Sequence, residues 1–326
     1  VSTYRFLVLV IGPVVLIAGS YWVTFEFPHD AREVMAATAI DPAQPQFDLG
    51  QGDQSAADHP ALVEDCNKAA AALILRLGEQ YRVAVESPFV IAGDMPEADL
   101  RRHYETTITP IVHALQSSYF ETSPNQPITI VMLSTVRNYR RAARELDNYD
   151  ATHYHGYFRR DQRRIMLDLS SGNGTLAHEL THALFGFDFP TGPEWFDEGL
   201  ASLHEQGEFS EDGRTLLGHH NWRLNSLKQA LLSGQLKSIE ELIHARTFRQ
   251  EGEGLQYAHV RYLCLYLQRR GLLKEYYRQF RTAVGNDPNG QATLQNVLGV
   301  ESMDEIDADF RIWLRNEFHS ISRFAN

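Results

Sequence analysis

The chain has 326 residues, 43% of them hydrophobic and 22% charged, a balance that suits a folded protein with a sizeable core and excludes a disordered one. With 30 Lys and Arg against 42 Asp and Glu, the formal net charge is −12, which argues against a general nucleic-acid binder. The length leaves room for one large domain, or two lobes around a cleft, behind an N-terminal membrane segment.

Phe6 to Phe25 carries no charged side chain and is long enough, at ~1.5 Å per residue, to cross a hydrocarbon layer of ~30 Å as a helix. Arg5 precedes the stretch, Tyr21 and Trp22 stand at its far end, and Glu26 and Asp30 follow. That asymmetry predicts an uncleaved anchor over residues 1–27, with the amino end in the cytoplasm and the remaining chain outside. The rival is a cleaved signal peptide with Ala18-Gly19-Ser20 as its small-residue site, and the plain alternative is a buried core helix. Residues 28–60, with Pro42, Pro45, Gly50 and Gly52, show neither helical nor strand period and read as a tether.

Periodicity predicts a helix from Pro60 to Leu77, a strand pair across Tyr81 to Ala92 with Pro88 near its turn, and a helix from Pro96 to Phe120. A β-branched strand over Pro127 to Leu133 and a helix over Thr135 to Leu146 follow. Strands near Tyr154 to Phe158 and Arg164 to Leu169 complete a small mixed sheet in an α/β lobe, residues 61–190. Everything after Pro193 reads as helix: Leu216 to Leu232, Ser238 to Ile243, Tyr257 to Val284, Gln291 to Leu298 and Met303 to Phe318. The breaks fall at Gly213, Gly234, Gly252 to Gly254, Gly271 and Asp287-Pro288. A cleft is expected between the sheet-bearing lobe and this helical lobe, residues 191–326. The arginines between Arg137 and Arg164 are interleaved with acids; they read as a solvated face or, more sharply, as a contact for anionic headgroups or an acidic substrate. Cys66 and Cys264 sit in apolar helical pattern, which favours two buried thiols over one disulfide.

The segment His178-Glu179-Leu180-Thr181-His182 carries the chemistry. Gly172-Asn173-Gly174 is a turn, Thr175 is a candidate cap, and Leu176, Ala177, Leu180, Ala183, Leu184 and Phe185 continue a helix that Gly186 and then Pro190 end. In that helix the two imidazoles lie four residues apart on one face and can grip one metal ion, with Glu179 beside the first as a candidate base. A catalytic Zn²⁺ takes three protein ligands and leaves a corner for water. The third is sought in Glu194-Trp195-Phe196-Asp197-Glu198-Gly199-Leu200-Ala201-Ser202, where Glu198 and, one turn earlier, Glu194 compete. Asp197 could accept from the second ring nitrogen of a ligand histidine. Histidines and a glutamate that merely cap or pair charges are the plain alternative, and His204, His219, His220 and His259 are further candidates for a hydrogen-bonding or site role.

His178-Glu179-Leu180-Thr181-His182 followed by Pro193-Glu194-Trp195-Phe196-Asp197-Glu198-Gly199-Leu200-Ala201 resembles the gluzincin metallopeptidases of the peptidase MA clan, and more closely the bacterial peptidase-MA-like families. The likeness covers roughly residues 80 to 320. It implies a zincin-like two-lobe α+β fold, Zn²⁺ held by His178, His182 and Glu198, Glu179 as catalytic base, and Tyr257 as the tyrosine facing the developing oxyanion, where a packed core tyrosine is the other reading. The strand Arg164 to Leu169, with Gly156-Tyr157-Phe158, is similar to the strand that borders the substrate cleft, whose backbone could pair with an extended peptide. The gap from His182 to Glu198 is shorter than in the clan's aminopeptidases, and their Gly-x-Met-x-Asn signature is missing. With the predicted anchor, the implied activity is zinc-dependent hydrolysis of peptide bonds by an extracytoplasmic, membrane-anchored endopeptidase of a bacterial inner membrane. Its partners are then a peptide or protein substrate and, through the N-terminal helix, membrane lipid, with no nucleic acid; a secreted or periplasmic form follows if the segment is cleaved. Two other functions fit the same residues: a non-catalytic zincin-fold envelope scaffold or binding module, and a zinc amidase acting on cell-wall peptide.

Overall fold

The computed structural model describes residues 60–152, 154–245 and 253–324. Its sheet orders five strands as β1 (Arg82–Glu86), β2 (Phe89–Gly93), β3 (Ile128–Leu133), β5 (Arg164–Asp168) and β4 (Gly156–Arg159). The inner strands β2, β3 and β5 run parallel, and β1 and β4 pair antiparallel at the two edges. Alternation along β3 divides the core: Ile128, Ile130 and Met132 join one buried cluster, Val131 and Leu133 the other.

On the smaller cluster's face lie α1 (Pro60–Leu77), which buries Leu62, Cys66, Ala70, Leu73 and Leu77, and α4 (Val136–Asp147). Spacings of three and four keep α1's residues on one stripe. Thr135 caps α4 by accepting from Asn138 N at 3.2 Å. On the other face α2 (Glu97–His103) continues through a π-helical turn, Tyr104–Ile108, into α3 (Thr109–Ser118). The same cluster takes in α5 (Asn173–Asp188) and α6 (Glu194–His204), then α7 (Leu224–Leu232), α8 (Ile239–Ile243), α9 (Glu253–Arg269), α10 (Leu273–Ala283), α11 (Gln291–Leu298) and α12 (Met303–Phe324). One apolar core thus runs unbroken from the sheet into the helices.

The expected α+β character holds, but the membrane part of the expectation is corrected. Among the described residues no helix is long and apolar enough to cross a membrane. The longest, α12, carries Asp304, Glu305, Asp307, Asp309 and Arg311 along its length. The Phe6 to Phe25 segment and the tether lie outside the described residues, so no spanning helix stands behind the anchored, extracytoplasmic architecture, its lipid partner or its inner-membrane address. The described residues form a mixed α+β domain without that element.

Two further expectations change. The region after Pro193 is not all helix: Gly207–Phe209 (β6) and Leu216–Gly218 (β7) form an antiparallel hairpin, so the predicted helix at Leu216 begins only at Leu224. The Asp212-Gly213 turn closes it, with Ser210 Oγ donating to Asp212 Oδ1 at 2.7 Å. The Arg164 to Leu169 strand is not a sheet edge either. A 3₁₀ turn, Arg160–Gln162, and left-handed Arg163 (φ 45°) fold β4 back along it, so that β5 is paired on both sides and β4 is the edge.

The arginine-rich stretch works as a set of cross-links rather than one charged patch. Arg140 donates to Thr152 O at 3.0 Å, Arg159 pairs with Asp161 at 3.1 Å, and buried Arg164 pairs with Asp147 at 3.1 Å. Cys66 and Cys264 are free, buried thiols in different clusters.

Candidate metal centre

Helix α5 starts at Asn173, behind Gly172, so Thr175 lies inside its first turn instead of capping it. Asp168 serves the preceding turn by accepting from Ser170 N at 3.1 Å. The apolar stripe Leu176, Ala177, Leu180, Ala183 and Leu184 is buried as its spacing predicts, and the helix runs past Gly186 to Asp188. Residues 189–193 then turn the chain, and α6 packs against α5. The turn is pinned by rings: Phe185 stacks on Phe189 with centroids 5.2 Å apart, Phe196 meets Tyr276 edge-on at 5.2 Å, and Trp195 Nε1 donates to Asn289 O at 3.2 Å. Full burial of each such ring contributes about 1.5–3 kcal/mol, which makes this junction stiff.

This packing brings Glu198 to the two histidines. His178 Nε2 and His182 Nε2 are 3.1 Å apart, and Glu198 Oε2 stands 3.7 Å from the first and 3.3 Å from the second. Ligands at ~2.0–2.1 Å from a tetrahedral zinc stand about 3.3–3.4 Å from one another, so the donor set and its spacing fit a divalent metal ion. The surroundings fit too: the Glu198 side chain is only 2% exposed, in a place where a carboxylate needs a cation. Gly199 makes this possible, since a Cβ there would stand 2.9 Å from Cys264 Sγ and 3.0 Å from Val260 O; the bare α-carbon lets α9 lie against the ligand helix.

The second nitrogen of His182 is set by Asp197. Nδ1 lies 2.8 Å from Asp197 Oδ1, which accepts its hydrogen bond, so that in the neutral ring the lone pair is on Nε2, facing the cluster. Asp197 Oδ2 in turn accepts from Arg160 Nη2 at 2.5 Å. Burial disfavours the charged form of His182, but Asp197 and Glu198 outweigh it and hold its pKa well above the usual histidine value. Burial, with His182 as a neighbour, pushes His178 down to about 4. One ring attracts a proton and the other refuses it, as expected where facing lone pairs share a carboxylate.

Of the sequence-predicted residues, His178, His182 and Glu198 converge. Glu179 is buried on the same helix, 7% exposed, and its charge acts on the buried Tyr139 hydroxyl. Asp197 is where its second-nitrogen role requires. Glu194 is exposed in the first turn of α6 and is not among the residues whose donor atoms converge. Tyr257 is half-buried in the second turn of α9, one turn ahead of the Val260 that lies on Gly199; Gly252, the start of its expected preceding turn, lies outside the described residues. The other histidines are not among the converging donors, although His204 feels the charge of His178. His204 is buried against Tyr119, His219 pairs with Glu208 at 3.0 Å, His220 pairs with Glu317 at 2.6 Å, and His259 stacks on Phe310. Sequence reasoning missed Arg160, which is separated from Asp197 by 37 positions and looked like one of many surface arginines.

No protein-family model matches the chain, and no curated protein matches its sequence.

Proposed function

We propose that the protein is a zinc metallopeptidase, a hydrolase of peptide amide bonds whose ion is held by His178, His182 and Glu198. The observation that carries this reading is the convergence of two imidazole nitrogens and one carboxylate oxygen, with a further glutamate beside the first histidine. Zn²⁺ supplies a Lewis acid for a water and a scissile carbonyl. The remaining work belongs to side chains. Glu179 accepts the water's proton and passes it to the leaving amine, which suits a buried carboxylate next to His178 in the chain. Tyr257 donates a hydrogen bond to the oxygen on which negative charge develops. Asp197 and Arg160 keep the His182 lone pair aimed at the cluster. The gluzincin likeness belongs to the same reading.

Edge strand β4 supports a peptide substrate. Gly156 abuts the Thr175 side chain near the start of α5, and Arg160, just past the strand, reaches Asp197 and approaches Gly186, so β4 runs along the metal helix. An extended chain added to that edge would pass beside the cluster.

The test is metal content of the purified protein together with cleavage of a mixed peptide library that includes cell-wall peptides. One zinc per chain and cleavage are expected. Glu179→Gln should keep the zinc and lower turnover by at least ~10²–10⁴-fold. Near-normal turnover by that variant at equal metal occupancy would sink the mechanism. Zinc without any cut peptide would move the reading to a binding module, and cuts confined to cell-wall peptide would move it to the amidase.

A further inference from the structure

Arg261, midway along α9, is fully buried, and no carboxylate among the described residues pairs with it. Its Nη2 donates to His219 O at 2.5 Å and reaches Gln206 O at 3.5 Å, which ties the chain just past β7 to the chain just past α6. Nε and Nη1 make no hydrogen bond. The neighbouring carboxylate, Glu205, is already engaged: it accepts from Arg223 Nη1, with the two side chains 15% and 19% exposed. Gln206 Oε1 is buried without a partner, but a neutral amide brings no charge. The Tyr262 ring stands 5.7 Å from the guanidinium, at the far end of cation–π reach. A second donor waits on the same segment. Asn221, two residues beyond His219, is held by its backbone N–H, which donates to the Tyr262 hydroxyl at 3.1 Å, and its side-chain Nδ2 is buried with no acceptor.

We propose that Arg261, with Asn221, forms a buried binding site for a compact monovalent anion, a halide or a single carboxylate group. Burial pushes the guanidinium down only to about 10, so it carries its charge at neutral pH. A buried charge is tolerated when it is paired and hydrogen-bonded, and carbonyl oxygens on one of three nitrogens do not supply a counter-charge. One positive charge asks for one negative charge, and complete enclosure asks for a small carrier. The site needs no metal, yet it lies beside the metal helices. Gly199, next to Glu198, packs on Val260 O, and Glu205 O presses on Gly174 in the first turn of α5. An anion on Arg261 would therefore cross-link α9, the end of α6 and the 219–223 segment, and make the packing around the ligand helices depend on the anion present.

The test uses the full chain at constant ionic strength, with chloride or acetate exchanged for gluconate, whose bulk suits an exposed surface only. The midpoint of thermal unfolding is read in wild type, Arg261→Met and Arg270→Met; Arg270, paired with Asp309 at the surface, reports general salt effects. Raising chloride from ~1 to ~100 mM is expected to lift the wild-type midpoint by at least ~2 °C, to lift Arg270→Met equally and to leave Arg261→Met unmoved. A rise with acetate and none with chloride, again lost in Arg261→Met, makes a carboxylate the ligand, and a peptide with a free C-terminus should then stabilise the protein more than its amide. If Arg261→Met does not fold, wild-type crystals soaked in bromide or in acetate locate the ion directly, with density expected against Arg261 Nε or Nη1. The rival is Glu205 turning from Arg223 to Arg261, which predicts no dependence on the anion. A wild-type midpoint indifferent to both anions, an equal rise in Arg261→Met, or soaked crystals without density at Arg261 for either anion overturns the proposal.

Discussion

Helix α5 carries two polar clusters that differ in how their groups are satisfied. At its last residue, Asp188 is saturated: Oδ1 accepts from Glu121 N at 3.0 Å, Thr122 N at 2.7 Å and Arg281 Nη1 at 2.6 Å, and Oδ2 accepts from Tyr277 O–H at 2.7 Å. Both oxygens have donors, four in all, and the side chain is fully buried. Six and ten residues earlier, His182 and His178 bring two imidazole nitrogens up to a carboxylate oxygen of Glu198. The first arrangement closes a structure by tying the end of α5 to α10 and to the segment after α3. The second gathers a donor set that could hold a divalent cation. Both are buried and rich in ionisable groups, so it is the balance of donors and acceptors that separates a lock from a site.

Substitutions should keep these two behaviours apart. Glu198→Ala removes a first-sphere oxygen and is expected to lower zinc affinity by more than the ~10–100-fold typical of supporting residues, whereas Glu194→Ala stays near wild type. Zinc titration of both, with circular dichroism as a folding check, tests this; metal lost from the Glu194 variant and kept by the Glu198 variant would reverse the ligand assignment.

Asp188→Asn should act on stability alone. Breaking the buried pair with Arg281 is expected to cost about 3 kcal/mol, read from urea unfolding of the metal-free protein, with zinc affinity unchanged in the folded fraction. Burial opposes the Asp188 charge, but Tyr277, the backbone N–H of Thr122 and Arg281 outweigh it and hold the pKa below the usual carboxylate range. A depressed folded pKa gives stability that is present above the unfolded value, ~3.9, and is lost as pH falls through the folded one. The gap between wild type and Asp188→Asn should therefore narrow below about pH 4. A constant gap down to pH 2 would remove the ionised carboxylate from the explanation.

Asp197→Asn sits between the two behaviours. It keeps size but weakens the acceptor for His182 Nδ1, and zinc affinity should fall ~10–100-fold with little change in unfolding free energy. Arg160→Gln, one step further out and with its side chain 57% exposed, should lower affinity only a few-fold, about the effect of a screened surface charge. An Arg160 effect as large as that of Asp197 would make the arginine an equal partner.

What could be read from the sequence follows from how local each determinant is. The helix from Pro60 to Leu77 and the strand within Pro127 to Leu133 were legible because their apolar spacing is set by one element meeting one core face. His178, His182 and Glu198 were legible because chemistry needs those types at short separations, and the structure brings them together. The hairpin at Gly207–Phe209 and Leu216–Gly218 was not: Leu216 and Leu217 extend the apolar run that continues at Leu224, and only the pairing of two three-residue strands decides between strand and helix. Which strand forms the sheet edge was hidden for a similar reason, since a single left-handed residue, Arg163, sets the fold-back. Arg160 became distinguishable only once its distance to Asp197 was known.

The position of β4 also bears on how its sheet avoids pairing with another copy. An unpaired strand edge that can receive a substrate can in principle receive another copy of itself, and long flat edges propagate into aggregates. Here the edge is only four residues long and ends in Arg159, paired with Asp161 as the chain leaves the sheet through its 3₁₀ turn. Charge at the rim and brevity along the strand deny a second sheet the length it needs to grow. The edge that would give a substrate its purchase is thereby kept from self-templating.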